Sequence, residues 1–396
     1  MLTEITVENF KCFKEKTIFP IEKLTLLTGV NGKGKSTTIQ SLLLPSQSIL
    51  ENQNSNILVL NSDWVKLGSF DDVRSTGSSA RSDIGFSYCF ENRETNKYLT
   101  LTTKFSRKYM DEDEDVEDEG NLRLTSVEVE SNESGTFESD SFDIIRGLDE
   151  STLSSVENYL VDFSRVSFIS AERIGPRSFH ESASNRTFGV GKFGEHTALE
   201  IYRNREKDVR EELIHASGET PKLPDQISAW VSYIFNSGSV SVSSISESLK
   251  KIEISPDGSA DNYKPENVGY GFSYCLPIIV AGLVAREGDV IIIENPEAHL
   301  HPSAQNRITN FLCKVAASNV TTIIETHSPS ILNGVRLGIK DNILSPNDTS
   351  VLFFGENSPE NNQVDRVLIA EGGVVNHWPK GFFDQDEIDL DNLYGL

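Results

Sequence analysis

Gly29-Val30-Asn31-Gly32-Lys33-Gly34-Lys35-Ser36 is the stretch on which the fold turns. It matches in full the pattern GxxxxGK followed by Ser or Thr. Leu24-Thr25-Leu26-Leu27-Thr28 before it has the make-up of a buried strand, and Thr37 to Leu44 after it suits a helix. A strand that turns through glycines into a helix N-terminus faces phosphate oxygens with backbone N–H groups. Asn31, Gly32, Lys33, Gly34 and Thr37 are therefore expected to form the cradle. Lys35 is placed to reach the β- and γ-phosphates, and the Ser36 hydroxyl to ligate Mg²⁺. The expected ligands are ATP and Mg²⁺.

Further along, the apolar run Val290-Ile291-Ile292-Ile293 ends in Glu294-Asn295-Pro296-Glu297 and Ala298-His299-Leu300-His301-Pro302. A carboxylate at the end of a buried strand beside a phosphate loop can hold Mg²⁺ through its waters, which singles out Glu294. Thr321-Thr322-Ile323-Ile324 reads as a second buried strand, followed by Glu325-Thr326-His327-Ser328-Pro329. Ser328 as N-cap and Pro329 as first helical residue start a helix. His327 is left at the carboxyl edge of the sheet, where ligands of parallel sheets sit. Asn267-Val268-Gly269-Tyr270-Gly271-Phe272-Ser273 precedes an apolar helix from Tyr274 to Val284, and glycines ahead of a helix N-terminus suit a second anion site.

These motifs imply a chain divided into residues 1–75 with the phosphate loop, an antiparallel β insert over 76–165, a helical subdomain over 166–265, the rest of the ATPase lobe over 266–350, and a short C-terminal domain over 351–396. Stretches such as Tyr98-Leu99-Thr100-Leu101-Thr102 alternate like strands. Residues 151–165 and 195–236 read as helical, with Leu199, Tyr202, Val209 and Leu213 spaced to share a face. From 266 onward helix and buried strand alternate, as in a parallel α/β sheet. Gly-Phe-Ser-Tyr-Cys occurs at 85–89 and 271–275 without matching flanks, a coincidence and not a repeat. No heptad array is long enough for a coiled coil.

The chain has 396 residues, 37% hydrophobic and 24% charged, which suits a soluble globular protein with a real core. No apolar run approaches the ~18 residues of a membrane span. Met1 to Phe10 alternates like a strand and lacks an export signal, so a cytoplasmic location is expected. Cys12, Cys89, Cys275 and Cys313 are far apart and read as reduced thiols. The net charge of −24 counts against a protein that coats nucleic acid, while leaving room for a local basic groove. Much of the excess lies in Asp111 to Glu119, which reads as a solvated loop.

Taken in order, the phosphate loop, the glycine-rich signature, Glu-Asn-Pro-Glu-Ala-His-Leu-His-Pro and Glu-Thr-His-Ser resemble the ABC-type ATPases of the SMC, RecF and OLD group. Val7-Glu8-Asn9-Phe10-Lys11-Cys12-Phe13 is similar to their opening strand. Ser170-Ala171-Glu172-Arg173-Ile174-Gly175-Pro176-Arg177 and Trp378-Pro379-Lys380-Gly381-Phe382-Phe383-Asp384-Gln385 resemble a prokaryotic AAA-type branch with a short C-terminal domain of uncharacterised role. The resemblance implies a P-loop NTPase fold of ABC-head type, a mixed sheet flanked by helices. It also implies a homodimer in which Gly269 and Gly271 meet the γ-phosphate held by a second subunit. Glu294 then takes the Walker B acid position, His327 the switch histidine, and His299 to Pro302 the loop crossing the interface. Members of the group serve DNA repair and anti-phage defence, often beside a nuclease.

One residue departs from that pattern. The catalytic glutamate normally follows the Walker B acid, and here Asn295 stands there; an amide orients water but cannot take its proton. Either Glu297 reaches the water, or hydrolysis is slow and ATP acts mainly as a dimer clamp, or the register shifts and Glu294 is the base. Arg173, Arg177 and Arg186 are read equally as ion-paired surface arginines and as groups near phosphates. The acids Asp384, Asp386, Glu387, Asp389 and Asp391 read as solvated tail charge and not as a nuclease centre. The expected function is a slow ATPase subunit of a DNA-linked defence system with a partner effector. DNA is a candidate ligand, and no membrane is involved. A RecF-like repair ATPase and a regulatory scaffold that binds ATP without turnover are the alternatives.

Overall fold

The computed structural model describes residues 1–51, 56–79, 81–92, 96–107, 121–132, 135–139, 163–181, 189–258, 261–355 and 364–395. The chain forms two compact units: Met1–Glu22, Gly29–Val166 and Phe354–Asp365 in the first, Lys23–Thr28, Ser167–Phe353 and Arg366–Leu396 in the second. Residues 151–162 of the helix predicted over 151–165 and the acidic run 111–119 lie outside the described residues.

The chain begins with β1 (Leu2–Glu8) and β2 (Thr17–Pro20). Next comes β3 (Leu24–Gly29), which belongs to the second unit as far as Thr28. Then follow α1 (Lys35–Glu51), β4 (Ile57–Leu58), the single turn α2 (Phe70–Val73), β5 (Ile84–Asn92), β6 (Lys97–Arg107), β7 (Leu122–Ser131) and β8 (Gly135–Ser139). The first unit is built on a seven-stranded sheet in the order β2-β1-β5-β6-β7-β4, with β8 on β7. Its pairings are antiparallel. The antiparallel sheet therefore starts at residue 2 and not near 76, because β1 buries Leu2, Ile5 and Val7 between β2 and β5. On β7 the buried residues change phase, from Leu122 and Leu124 to Val127 and Val129. A bulge in the β6–β7 register adds the residue that keeps both pairs on one face.

Inside α1 stands Pro45, whose missing N–H leaves the Ser41 carbonyl without its helical donor. The buried Tyr88 hydroxyl of β5 donates to that carbonyl at 2.5 Å. Its ring meets Phe163 edge-on at 5.1 Å.

The second unit adds β9 (Val166–Ile169), β10 (Phe179–Glu181), α3 (Thr197–Arg203), α4 (Leu223–Phe235), β11 (Ser239–Ser246), β12 (Leu249–Ser255), α5 (Tyr270–Val284), β13 (Val290–Glu294) and α6 (Pro302–Ala317). It ends with β14 (Thr321–Glu325), α7 (Pro329–Lys340), β15 (Thr349–Phe354), β16 (Val364–Val367), β17 (Ile369–Ala370), β18 (Val374–Val375) and α8 (Gln385–Tyr394). Six strands form its sheet in the order β16-β15-β3-β14-β13-β9. The neighbours β3, β14 and β13 run parallel, and Leu27, Glu325 and Glu294 share one row at their carboxyl ends. Ile291, Ile293 and Ile324 pack into a core with Ile279 of α5, Phe311 of α6 and Leu332 of α7. The contact of α6 with α7 is close. A Cβ on Gly334 would stand 2.5 Å from Thr309, and one on Gly338 would stand 2.8 Å from Cys313.

Two expectations need correcting. Residues 166–265 are not wholly helical, since β10, β12 and β11 make a three-stranded sheet there. Val209 and Leu213 are buried but not on the face of Leu199. The helix α3 ends at Asn204, and the chain then bridges Asp208 to Lys222. Toward the last described residues, β15 lies beside β3 and buried Phe382 meets Phe353 edge-on at 5.5 Å. No described helix is long and apolar enough to cross a membrane.

Candidate nucleotide-binding site

The phosphate loop belongs to the first unit. Gly29, Gly32 and Gly34 have φ of 122°, 77° and 113°, a region open to glycine and strained for other residues. At Gly29 a Cβ would stand 2.4 Å from the Phe354 carbonyl oxygen, and at Gly34 one would stand 2.2 Å from the Phe13 ring. Nothing lies within 4 Å of a Cβ on Gly32, which faces open space with Asn31. Val30 N–H donates to Phe354 O at 2.8 Å and anchors the loop. Lys35 is buried, and its Nζ donates to the carbonyls of Gly29 at 2.9 Å and Val30 at 3.0 Å. The ammonium is thus held inside the loop by the loop's own oxygens. Ser36 is exposed beside it, Lys33 is half-buried, and buried Thr37 lies against Cys12.

The acidic turn belongs to the second unit. Glu294 ends β13, and its Oε2 accepts from Ala171 N at 3.0 Å and Ser170 Oγ at 3.2 Å. Asn295 follows with φ 44°, and its N–H donates to Glu325 O at 2.8 Å. Asparagine is among the few side chains at ease in that left-handed region. Glu297 Oε1 accepts from His327 N at 3.0 Å, while its buried Oε2 has no hydrogen-bond partner among the described residues. The structure therefore brings Glu294, Asn295, Glu297 and His327 into one neighbourhood, with the His327 ring exposed. Ser328 caps α7 by accepting from Ser330 N at 3.1 Å, as its sequence implies.

Gly269 is the N-cap of α5 and leaves open space around a Cβ. Gly271 is packed: a Cβ there would be 3.0 Å from His299 O and 3.2 Å from Leu300. His299, with φ 61°, lies edge-on to Tyr274 at 4.5 Å. The signature glycine and the His299 turn are thus in direct contact. Within the first unit the loop suits a nucleoside triphosphate: glycines shape it, it holds a cation, and the exposed Ser36 offers a hard oxygen of the kind Mg²⁺ takes. Within the second unit the Glu294 carboxylate is a hard oxygen donor of the same kind. Among the described residues no group of three His, Cys, Asp or Glu could hold a metal by itself.

Residues 1–332 match the model of the AAA ATPase domain, AAA_15. The chain belongs to that family. Residues 344–393 match a second model, described as Protein of unknown function (DUF3696). No curated protein matches. Among solved structures, the chain is similar to the Smc head domain with an extended coiled coil bound to the C-terminal domain of ScpA derived from Pyrococcus furiosus. Identity is 11%, both chains are covered to 99%, and the TM-score is 0.50. An SmcHead bound to the C-winged helix domain of ScpA is 10% identical over 93% of this chain and 98% of that one, with a TM-score of 0.50. The SMC head domain from Thermotoga maritima is 12% identical over the same shares, with a TM-score of 0.44. At such identities the likeness to the two structures with a TM-score of 0.50 speaks for the fold alone, an ATPase head of SMC and ABC type. Membership of the AAA ATPase family implies ATP as the ligand.

Ser170 and Ala171, which the sequence marks only through a family resemblance, hold the Glu294 carboxylate. The apolar run Val166–Ile169, ending in polar residues like the other sheet strands, is the signal that marks them. Arg173 is not a surface arginine. It is 3% exposed and bound to main-chain carbonyls. Arg186 lies outside the described residues.

Proposed function

We propose that this AAA ATPase is a slowly hydrolysing head that pairs with a second copy on ATP and passes its nucleotide state to a partner effector, such as a nuclease, in a prokaryotic DNA-linked defence system. The observation that carries the reading is the acidic turn. At the place of the usual catalytic glutamate stands Asn295, held left-handed, and two residues on stands Glu297 with one carboxylate oxygen unpartnered among the described residues. In this reading Lys35 and Ser36 bind the triphosphate, and Asn31, Gly32, Lys33, Gly34 and Thr37 shape the loop. Glu294 is the acid of the metal site. Mg²⁺, when bound, neutralises phosphate charge and polarises the transferred group. Glu297 orients or deprotonates water, His327 lies at the γ-phosphate edge, and Gly269 and Gly271 face the nucleotide of the second copy. The Smc heads of similar fold are bound to ScpA domains, which supports a protein partner here. The amide at 295 equally favours a second reading, a scaffold that binds ATP without turning it over.

ATP binding and turnover in four proteins test the reading. Wild type is expected to bind ATP and hydrolyse it slowly, and to leave plasmid and linear DNA uncut. Lys35→Ala abolishes binding and also loosens the loop that Lys35 ties. Asn295→Glu raises turnover about tenfold or more, since a positioned base is worth ~10²–10⁴ and the left-handed backbone opposes glutamate by about 1–2 kcal/mol. Glu297→Gln lowers it. Fast hydrolysis that neither change at 295 nor at 297 alters would sink the assignment, and binding that survives Lys35→Ala would remove the site.

A further inference from the structure

Arg173 lies under the acidic turn. Its Nη1 donates to Ser170 O at 3.1 Å and to Glu294 O at 2.7 Å, and its Nη2 donates to Asn295 O at 2.6 Å. The buried Nε has no hydrogen-bond partner among the described residues. The Tyr274 ring centroid stands 5.5 Å from the guanidinium carbon, and Tyr274 in turn carries His299. One planar cation thus joins three places: the loop after β9, the peptide between Glu294 and Asn295, and the aromatic side chain at the start of α5.

A charge this deeply buried is costly unless it is well bonded. Burial pulls the Arg173 pKa below its ordinary value, against the opposing influence of Cys275, Glu297, Tyr274 and Glu294. A guanidinium stays ionised through such shifts, whereas an ammonium does not do so reliably. A residue needed only to fill space here would be apolar. The carbonyls it binds belong to the two residues whose backbone sets the acid and the amide, and the Asn295 backbone is left-handed and needs holding.

We infer that Arg173 is the positioning residue of hydrolysis in this chain: by clamping the carbonyls of Glu294 and Asn295 it fixes the left-handed turn, and so the places of the Glu294 and Glu297 carboxylates. It touches no nucleotide in this role. Its contacts are spent on backbone, which removes it from the arginines available to phosphate. The inference rests on the ATPase reading above and extends it to a residue to which that reading assigns no role.

The test separates binding from turnover. Arg173→Lys keeps a cation and most of the volume but offers no planar fork for carbonyls on two strands. Its expected signature is unchanged ATP affinity with kcat lower by about 100-fold, the loss that a displacement of ~1 Å in a reacting constellation produces. Arg173→Ala is expected to lose turnover as well, and millimolar guanidinium ion, which fits the vacated space and its three carbonyls, restores part of it. Arg173→Lys combined with Glu297→Gln is expected to lose less than the product of the two single losses, because both act on one turn. Should Arg173→Ala fail to fold, Arg173→Lys alone decides. A kcat for Arg173→Lys within a factor of two of wild type, at intact ATP binding, overturns the inference. So does a loss of ATP affinity equal to the loss of turnover. Wild type that binds ATP but shows no turnover also overturns it, and leaves the nucleotide site standing; loss of ATP binding only in Lys35→Ala confirms that site independently.

Discussion

Gly-Phe-Ser-Tyr-Cys is a strand at Gly85–Cys89 and a helix at Gly271–Cys275. Intrinsic propensity is identical in the two copies, so the flanks decide. Ile84, Phe86, Tyr88 and Phe90 are all buried, a period of two that continues on both sides of the first copy. After the second copy come Leu276, Pro277, Ile278, Ile279 and Val280, all buried, which no alternating strand with one wet face accommodates. Each shared side chain then takes a different task. Phe86 meets Phe10 edge-on at 5.2 Å, and Phe272 stacks on Phe235 at 4.0 Å. Tyr88 satisfies the carbonyl bared by Pro45, while Tyr274 lies between Arg173 and His299. Five residues carry no meaning until the next five are read.

The tyrosines give the largest expected difference. Tyr88→Phe leaves the Ser41 carbonyl buried and unpaired, a loss of about 1–3 kcal/mol in urea unfolding. Tyr274→Phe, whose hydroxyl has no protein partner among the described residues, is expected within about 0.5 kcal/mol of wild type. Equal losses would break the comparison. The glycines come next and differ in sign. A Cβ on Gly85 meets Glu8 at an ordinary 3.5 Å, so Gly85→Ala is expected to gain about 0.5 kcal/mol. On Gly271 it meets a backbone oxygen at 3.0 Å, and overpacking of about 1–3 kcal/mol outweighs a helix-propensity gain of up to ~1 kcal/mol. Thermal melts of the two variants read the signs directly.

The smallest difference concerns reactivity. Burial pushes the Cys275 thiol up to about 12, so its thiolate is scarce at any pH the fold tolerates. Cys89 is half-buried, and burial raises it less far. A thiol reagent at pH 8 is expected to modify Cys89 in the native protein and Cys275 only on unfolding, as peptide mapping would reveal. Reaction of Cys275 at the rate of Cys89 would mean that α5 opens on its own.

The parts that sequence shows well are those whose partners are close in the chain. The phosphate loop, the apolar strands at 290–293 and 321–324, and the Ser328–Pro329 helix start are each complete within ten residues. The three-stranded sheet of β10, β12 and β11 was hidden because Ser239–Ser246 alternates valine with serine only briefly, beside the strong helical pattern of 223–235. Arg173 was hidden for another reason. Two of its three carbonyl partners lie more than a hundred positions away, and nothing in a sequence says that a charged residue is buried until its acceptors are placed.

The two asparagines of the candidate site also differ in how they age. Deamidation proceeds when the next backbone nitrogen attacks the side-chain amide and loses its hydrogen. Asn31 is exposed and followed by Gly32, whose N–H is unshielded by any side chain, so the phosphate loop is chemically perishable and can acquire a negative charge where a phosphate should bind. Asn295 is followed by Pro296, whose nitrogen has no hydrogen to give. On the proposed reading, the Asn295 turn cannot drift by that route into a carboxylate that would speed hydrolysis, and old protein would lose its grip on ATP first.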